Sequence, residues 1–473
     1  MIALSLTEVA RATGGSVVAP PGVDADLLVV DGPVVTDSRE AGPGGLYVAR
    51  VGEHADGHDF VGAAVERGAV AALVTRVAEG VPCVVVADTQ EAFAALAHEV
   101  VHRLPGLAVV GITGSSGKTS TKDLLGTVLA TAGPTVAPVG SYNSEVGVPL
   151  TVCRVTSDTR FLVVEMGARG IGHVAYLARM APPRIGVVLN VGTAHVGEFG
   201  SREAIATAKS ELVAALPAHG LAVLNADDRA VRAMASVTTA RVVLVGEAHD
   251  AEVRATDVVL DAGGRASFTV HTPQGTRGVH LGLVGRHHVG NALAVVAVAT
   301  ELGLPLESVC AALESARPVS RWRMEVVERP DGVTLVNDAY NANPDSMRAA
   351  LTALERMGEG RRTWAVLGTM LELGAESEAL HAAVGAEVVS RGVDELVVVG
   401  PAAASLAAGA RAALPASGSG GRTQVREVPD ADRAEALLNA ELAAGDVVLF
   451  KSSRDAGLRL LGDRLGATRE ELT

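Results

Sequence analysis

The chain is poor in aromatic residues, in cysteine and in positive charge. Aromatics make up 3% of its 473 residues. Its 40 lysines and arginines face 54 aspartates and glutamates, a formal net charge of -14. A chain with neither a basic stripe nor stacking platforms is not built to wrap nucleic acid. Cys83, Cys153 and Cys310 are its cysteines, and none stands in a Cys-x-x-Cys pair. Thiols so spaced are expected to be buried and reduced, as in a cytoplasmic protein. No apolar run approaches the roughly 18 residues that span a bilayer, so no membrane insertion is expected. The opening segment carries Glu8 and Arg11 and has no basic stretch ahead of an apolar one. It does not read as a signal peptide.

What is present is a globular composition. The chain is 48% hydrophobic and 20% charged, with a mean hydropathy of +0.30. At roughly 100–200 residues per domain, two to four domains are expected. Short apolar runs alternate with helical stretches almost throughout, the pattern of α/β layers. Residues 1–105 show strands at 45–49 and 83–88 and helices near 60–67 and 90–103. Leu104-Pro105-Gly106 reads as a linker. A second unit, 106–317, begins with a strand at 107–113 and continues through strands at 161–165 and 184–191 to a helix at 291–302. Arg317-Pro318-Val319-Ser320 marks a second boundary. The third unit, 318–473, has strands near 333–337, 363–368, 395–400 and 447–451, with helices near 376–391 and 431–444. That alternation describes an open, doubly wound sheet.

The strongest local signal runs from Leu107 to Thr121. An apolar strand enters the bend Thr113-Gly-Ser-Ser-Gly-Lys-Thr-Ser120, and an amphipathic helix leaves it. Strand, glycine-rich loop and helix N-terminus stand in the order a phosphate cradle needs. Gly114 and Gly117 let the backbone turn its N–H groups inward. Lys118 can reach the β- and γ-phosphates, and Thr119 can offer a hydroxyl to Mg²⁺. The usual first glycine of this motif would fall at Ile112; glycines stand at 111 and 114 instead.

Three further residues could serve the same chemistry. Glu165 ends the apolar run Phe161–Glu165, and α/β folds gather ligands at strand ends. His195 lies in the glycine-rich stretch Asn190-Val-Gly-Thr-Ala-His195. By itself it reads as a satisfied loop histidine as readily as a ligand. Lys209, in Ala206-Thr-Ala-Lys209-Ser-Glu, reads by itself as a surface lysine of a helix.

Taken as an ordered set, these segments resemble the Mur ligases, which add amino acids to UDP-N-acetylmuramic acid. The set comprises the phosphate loop, Glu165-Met-Gly, Asn190 to His195, Ala208-Lys209-Ser-Glu, Leu224-Asn-Ala-Asp-Asp228, Gly285-Arg-His-His-Val-Gly-Asn291-Ala and Asn337-Asp-Ala-Tyr-Asn-Ala-Asn-Pro344. It covers nearly the whole chain. The resemblance is nearest to the branch that joins D-alanyl-D-alanine to UDP-MurNAc-tripeptide. Three segments point there: Asp338 to Met347, Leu371-Glu-Leu-Gly-Ala-Glu376-Ser, and Thr36-Asp-Ser-Arg39. It departs from relatives at Arg50, His288, Thr369 and Ser452. Other ligases of the superfamily remain open, namely the third-residue-adding enzyme or a folate polyglutamating enzyme. So does a P-loop ATPase or switch, although no Asn-Lys-x-Asp segment for guanine is present.

The resemblance implies an α/β fold of three domains. A UDP-sugar-binding domain (1–105) and a Rossmann-like domain (318–473) would flank a P-loop ATPase-like parallel sheet (106–317). It implies ATP bound by Thr113, Gly114, Ser115, Ser116, Gly117, Lys118, Thr119 and Ser120. Asn291, opening a helix, would contact adenine, and Asp338 the ribose; Arg323 and Asn341 would complete the nucleotide site. Two Mg²⁺ ions would be held by Thr119, Glu165, His195 and Lys209, the last as a CO₂-derived carbamate. Lys118, Lys209, His195 and Glu165 are thus the expected catalytic residues. Ser38, Arg39, Asp56, Gly57, His58 and Asn143 would bind the UDP-MurNAc-tripeptide, and Glu372, Lys451 and Arg454 would meet D-Ala-D-Ala. A cytoplasmic monomer is expected.

Overall fold

The computed structural model describes residues 1–52, 54–192, 196–415 and 423–467. Three main sheets lie along the chain. The first runs Ser16–Val18, Cys83–Val85, Ala69–Val74, Gly45–Val48, Val34–Val35 in spatial order. The third runs Glu325–Glu328, Thr334–Asn337, Val447–Lys451, Thr363–Leu367, Glu395–Val399, Gln424–Val428. In each, one edge strand is antiparallel and the rest are parallel. Such strands are buried on both faces, which is why they read as unbroken Val, Leu and Ala runs.

The central sheet has nine strands, in the order Gly275–Val284, Arg265–Thr272, Val253–Leu260, Arg241–Gly246, Leu221–Asn225, Ile185–Val188, Ala108–Thr113, Phe161–Glu165, Thr135–Val136. The sequence reading missed its antiparallel end. The three strands between Val253 and Val284 alternate buried and exposed residues on a half-covered sheet, a weaker signal than an apolar run.

Register in the parallel part positions the site. Glu165 pairs with Ile112, and Val188 pairs with Thr113. Three strand ends therefore open at one level. The chain leaves Ala108–Thr113 toward one neighbour and returns on its other side, which creates a crevice at the strand ends.

The turn between His102 and Ala108 does not divide the core. Helix Thr89–His102 buries Phe93, Leu96 and Val100 in one cluster with Leu4, Leu6 and Val84 of the first sheet's unit and Val148, Leu162 and Val174 of the central one. Truncating Phe93 to Ala would cost roughly 3–5 kcal/mol by loss of that packing. The third sheet has a core on each face. Helix Pro344–Met357 covers one through Met347, Leu351 and Leu354, and helix Leu458–Gly466 covers the other through Leu458 and Leu461.

Two element boundaries differ from expectation for local reasons. The strand expected at 83–88 ends at Val85, because Asp88 caps the next helix through Gln90 N–H at 2.7 Å and Glu91 N–H at 3.0 Å. The strand expected at 184–191 ends at Val188. Beyond it, Asn190 and Val191 turn their backbone groups to the phosphate loop and to Asp228.

Candidate active site

The bend at 113–118 is held open by backbone that only glycine tolerates well. Gly117 has φ +81°, and a Cβ there would sit 2.8 Å from Asn291 Oδ1. Gly114 has φ +157°, and its Cβ would lie 3.0 Å from Leu189 Cβ. Helix Lys118–Ala130 begins directly after Gly117, without a side-chain cap. Its first N–H groups and its dipole therefore face the crevice, an arrangement suited to an anion.

Lys118 Nζ donates to Gly114 O at 2.8 Å. Burial pushes its pKa down; Glu165 works against that shift and Arg323 adds to it. A lysine so placed is loosely compensated, and an incoming anion would restore its charge balance. One residue on, Thr119 Oγ1 donates to Glu165 Oε2 at 2.8 Å. The other carboxylate oxygen, Oε1, accepts from Ser141 Oγ at 2.9 Å and Asn143 Nδ2 at 2.8 Å. A hydroxyl and a carboxylate in contact beside a phosphate cradle are the hard oxygen donors that a divalent cation such as Mg²⁺ accepts.

Lys209 lies in helix Arg202–Ala214 and is only 4% exposed. Burial, with Lys118 as the lesser cause, pushes its pKa down to about 7. No carboxylate among the described residues pairs with it. Reading it as a surface lysine was wrong, and the sequence held the correction. Ile205, Ala208, Lys209, Leu212 and Val213 are the buried positions of this helix, spaced as one helical stripe. His195 lies outside the described residues.

A cleft of about 530 Å³ opens over the loop between the central and third sheets. Ser115 to Ser120, Asn143, Glu165 and Asn291 line one side. Arg323, Asp338, Asn341, Glu372, Lys451 and Arg454 line the other. Thus all the expected nucleotide residues except Thr113 and Gly114 border one space. Asn291 does not open its helix as expected. The helix is His288–Glu301, so Asn291 is its fourth residue, and its Nδ2 lies 3.3 Å from His288 Nδ1.

On the far wall, Lys451 is 2% exposed and its ammonium is fully engaged. It donates to Asp338 Oδ2 at 2.5 Å, Asn341 O at 3.1 Å and Asp338 O at 3.2 Å. Lys451 thus braces the 338–341 turn from beneath. Arg323 stacks on Tyr340, its guanidinium carbon 4.3 Å from the ring centroid, and its Nε is buried without a partner among the described residues. A buried orphan donor facing a cleft is costly until a polar ligand meets it. Glu372 has φ +64°, and its carbonyl accepts from Gly197 N of helix Val196–Phe199 at 3.2 Å. Asn343 caps helix Pro344–Met357 by accepting from Ser346 N at 2.9 Å.

The expected residues of the first unit lie elsewhere; none lines the cleft. Asp56 caps a short turn and accepts from His58 N–H at 3.0 Å and from Arg76 at 2.8 Å; Gly57 and His58 belong to that turn. Its carboxyl is held well below the usual range by those donors. Arg39 is exposed and pairs with Asp37, and Ser38 stands in the same turn. Ser141 belongs to no motif in the sequence, and Tyr340 stands inside the Asn337–Pro344 motif without an expected role; they matter here through Glu165 and Arg323.

Comparison with known proteins finds family matches along most of the chain. Residues 112–299 match the Mur ligase middle domain, 322–454 the Mur ligase, glutamate ligase domain, and 33–106 the Mur ligase family, catalytic domain. The chain is 48% identical over 503 residues to the UDP-N-acetylmuramoyl-tripeptide–D-alanyl-D-alanine ligase of Mycobacterium tuberculosis (strain ATCC 25618 / H37Rv), covering 99% of this chain and 98% of that one. A crystal structure of MurF from Acinetobacter baumannii superposes with a TM-score of 0.86 at 30% identity, covering 98% of both chains. MurF ligase from Thermotoga maritima, solved in complex with ADP, gives a TM-score of 0.79 at 28% identity over 93% of this chain and 98% of that one.

Proposed function

Since this chain belongs to the Mur ligase family, we propose that it joins D-Ala-D-Ala to UDP-MurNAc-tripeptide, with ATP converted to ADP and phosphate. The observation that carries the reading is the meeting, at one cleft, of the phosphate loop with Lys118, the Thr119–Glu165 pair and, from the third sheet, Arg323. The name of the 48%-identical relative supports the substrate choice, and the ADP-bound relative supports the nucleotide.

The terminal carboxylate of the tripeptide attacks the γ-phosphorus of ATP. The bond to the β-phosphate oxygen breaks, ADP leaves, and an acyl phosphate forms. The amine of D-Ala-D-Ala then attacks the acyl carbon, phosphate leaves with the bonding pair, and the nitrogen loses a proton. Carboxylate and triphosphate repel each other in the first step. Lys118, the loop N–H groups and Arg323 offset that repulsion from fixed positions, where they stabilise developing charge most. Thr119 and Glu165, with Lys209 as its carbamate and His195, would hold Mg²⁺, whose bound charge neutralises phosphate oxygens. Lys209 suits carbamate formation, which needs a neutral amine, because burial has brought its pKa near 7.

Asn291, Asp338 and Asn341 are assigned to the nucleoside. Asn143, beside Glu165, is assigned to the acceptor peptide; Glu372 and Arg454 are assigned to the dipeptide. Ser38, Arg39 and the 56–58 turn would take the uridine end, away from the reacting atoms. An acyl phosphate hydrolyses in water, so the third domain's wall must close over the loop before chemistry. We place the enzyme in the cytoplasm, where ATP and UDP-linked precursors are found, with domains 1–105, 106–317 and 318–473 as its working parts.

ATP turnover with UDP-MurNAc-tripeptide, with and without D-Ala-D-Ala, tests the proposal. The expected result is ADP release matched to pentapeptide product when both are present. ADP release indifferent to either substrate sinks it.

A further inference from the structure

The N–H groups at the start of the phosphate loop are not free. Ser115 N donates to Asn190 Oδ1 at 2.9 Å and to Asn190 O at 3.1 Å. Ser116 N donates to the same Oδ1 at 2.9 Å. The bonding is reciprocal. Asn190 Nδ2 donates to Ser116 O at 3.2 Å, and Gly192 N donates to Ser115 Oγ at 2.9 Å. A Cβ at Gly114 would stand 3.5 Å from Asn190 N, so the two backbones are already in close approach.

This is more than a turn satisfying itself. Ser115 and Ser116 lie between the two glycines, where the backbone has the most freedom to collapse. One carboxamide fixes both peptide planes there, through donor and acceptor together. The remaining N–H groups, from Gly117 into the helix, then point into the cleft. Asn190 is two residues from Gly192, where a Cβ would lie 2.4 Å from Asp345 Oδ2 of the third domain. The clip therefore stands between the phosphate cradle and the domain that closes on it.

We propose that Asn190 is a positioning residue for the nucleotide: its carboxamide holds the phosphate loop in the anion-binding shape. The inference rests on the ATP-dependent reading above. It requires a neutral amide. A carboxylate at the same place would accept the same two N–H bonds and lose only the donation to Ser116 O, but it would set a negative charge beside the phosphates.

Two variants test it by calorimetry of Mg·ADP binding, thermal unfolding and steady-state kinetics on the full chain. Asn190→Ala should weaken ADP binding about tenfold as the loop loosens. Asn190→Asp should weaken it by about a hundredfold or more, because like charges are brought together. The midpoint of unfolding should stay nearer to wild type in Asn190→Asp than in Asn190→Ala. Binding and stability would thus move in opposite orders, because the carboxylate keeps both N–H bonds yet repels the phosphates. KM for ATP should rise in both, with KM for the UDP-linked substrate unchanged.

ADP affinities within about twofold of wild type for Asn190→Asp would overturn the inference. So would tighter binding in Asn190→Ala, which would make Asn190 a displaceable plug instead. If Asn190→Ala fails to fold, Asn190→Asp decides. Wild-type protein that binds no ADP would overturn the functional reading, not this residue's role within it.

Discussion

The Thr119 hydroxyl donates to Glu165 Oε2 at 2.8 Å, joining the first turn of the loop helix to the end of the neighbouring parallel strand. Ser141 and Asn143 hold the other oxygen. The carboxylate is therefore aimed before any ligand arrives. Glu165→Ala should lower kcat by roughly 10²–10³-fold, the scale of losing a fixed group that supports transition-state charge. The Mg²⁺ concentration giving half-maximal rate should rise as well. An unchanged Mg²⁺ titration would remove Glu165 from the metal site.

Lys118 is buried, contributes Nζ to the loop and meets Glu165 and Arg323 electrostatically. Lys118→Ala should abolish detectable phosphoryl transfer while leaving the fold intact, because burial of this ammonium itself opposes folding. Retained ATP-dependent ligation in this variant contradicts its assigned role.

Burial holds the Lys209 pKa at about 7, well below the ordinary lysine value of 10.5. The folded protein thus binds this proton less readily than the unfolded chain. Below about pH 7 both states carry it, and the full cost of burying an ammonium opposes folding. As pH rises from 7 toward 10.5, that cost is relieved. In CO₂-free buffer, Lys209→Met should therefore be stabilised relative to wild type most strongly below pH 7, and the gap should shrink at higher pH. Urea unfolding across that range reads it directly. A constant gap would mean that Lys209 is not titrating as its burial implies.

The same lysine carries the carbamate proposal. Lys209→Ala should lose most activity and regain part of it with added short-chain carboxylic acids, which supply an oxygen ligand in the vacated space. In wild type, added bicarbonate should help more at pH 8 than at pH 6.5, since only the neutral amine reacts. Full activity of Lys209→Ala without additives would end the idea.

Gly117 must adopt φ +81° with Asn291 Oδ1 2.8 Å from where a Cβ would be. Gly117→Ala should cost roughly 1–2 kcal/mol of stability for the left-handed conformation. It should also raise KM for ATP several-fold by shifting Asn291. A variant with normal ATP kinetics would show that the loop can relax around the added methyl.

The branch of the site that was legible in the sequence is the part made of consecutive residues. From 108 to 120, strand, bend and helix are written in one stretch, and local backbone preference suffices to place Gly114, Gly117, Lys118 and Thr119. Strand-end Glu165 was legible for a similar reason, since an apolar run must end somewhere near its neighbours' ends. The stripe that buries Lys209 was present too, at 205, 208, 209, 212 and 213, but a lysine in it looked like a break in the pattern.

Alternation of apolar runs with helical stretches determined an α/β chain with parallel sheets, because each element's periodicity follows from its own residues. Tertiary structure alone decided that Glu165 ends level with Ile112, that Asn190 clips Ser115 and Ser116, and that Tyr340 carries Arg323 to the cleft. The partners in these pairs stand 17 to 75 residues apart in the chain. Their distances depend on strand order, register and domain packing, which no local preference encodes.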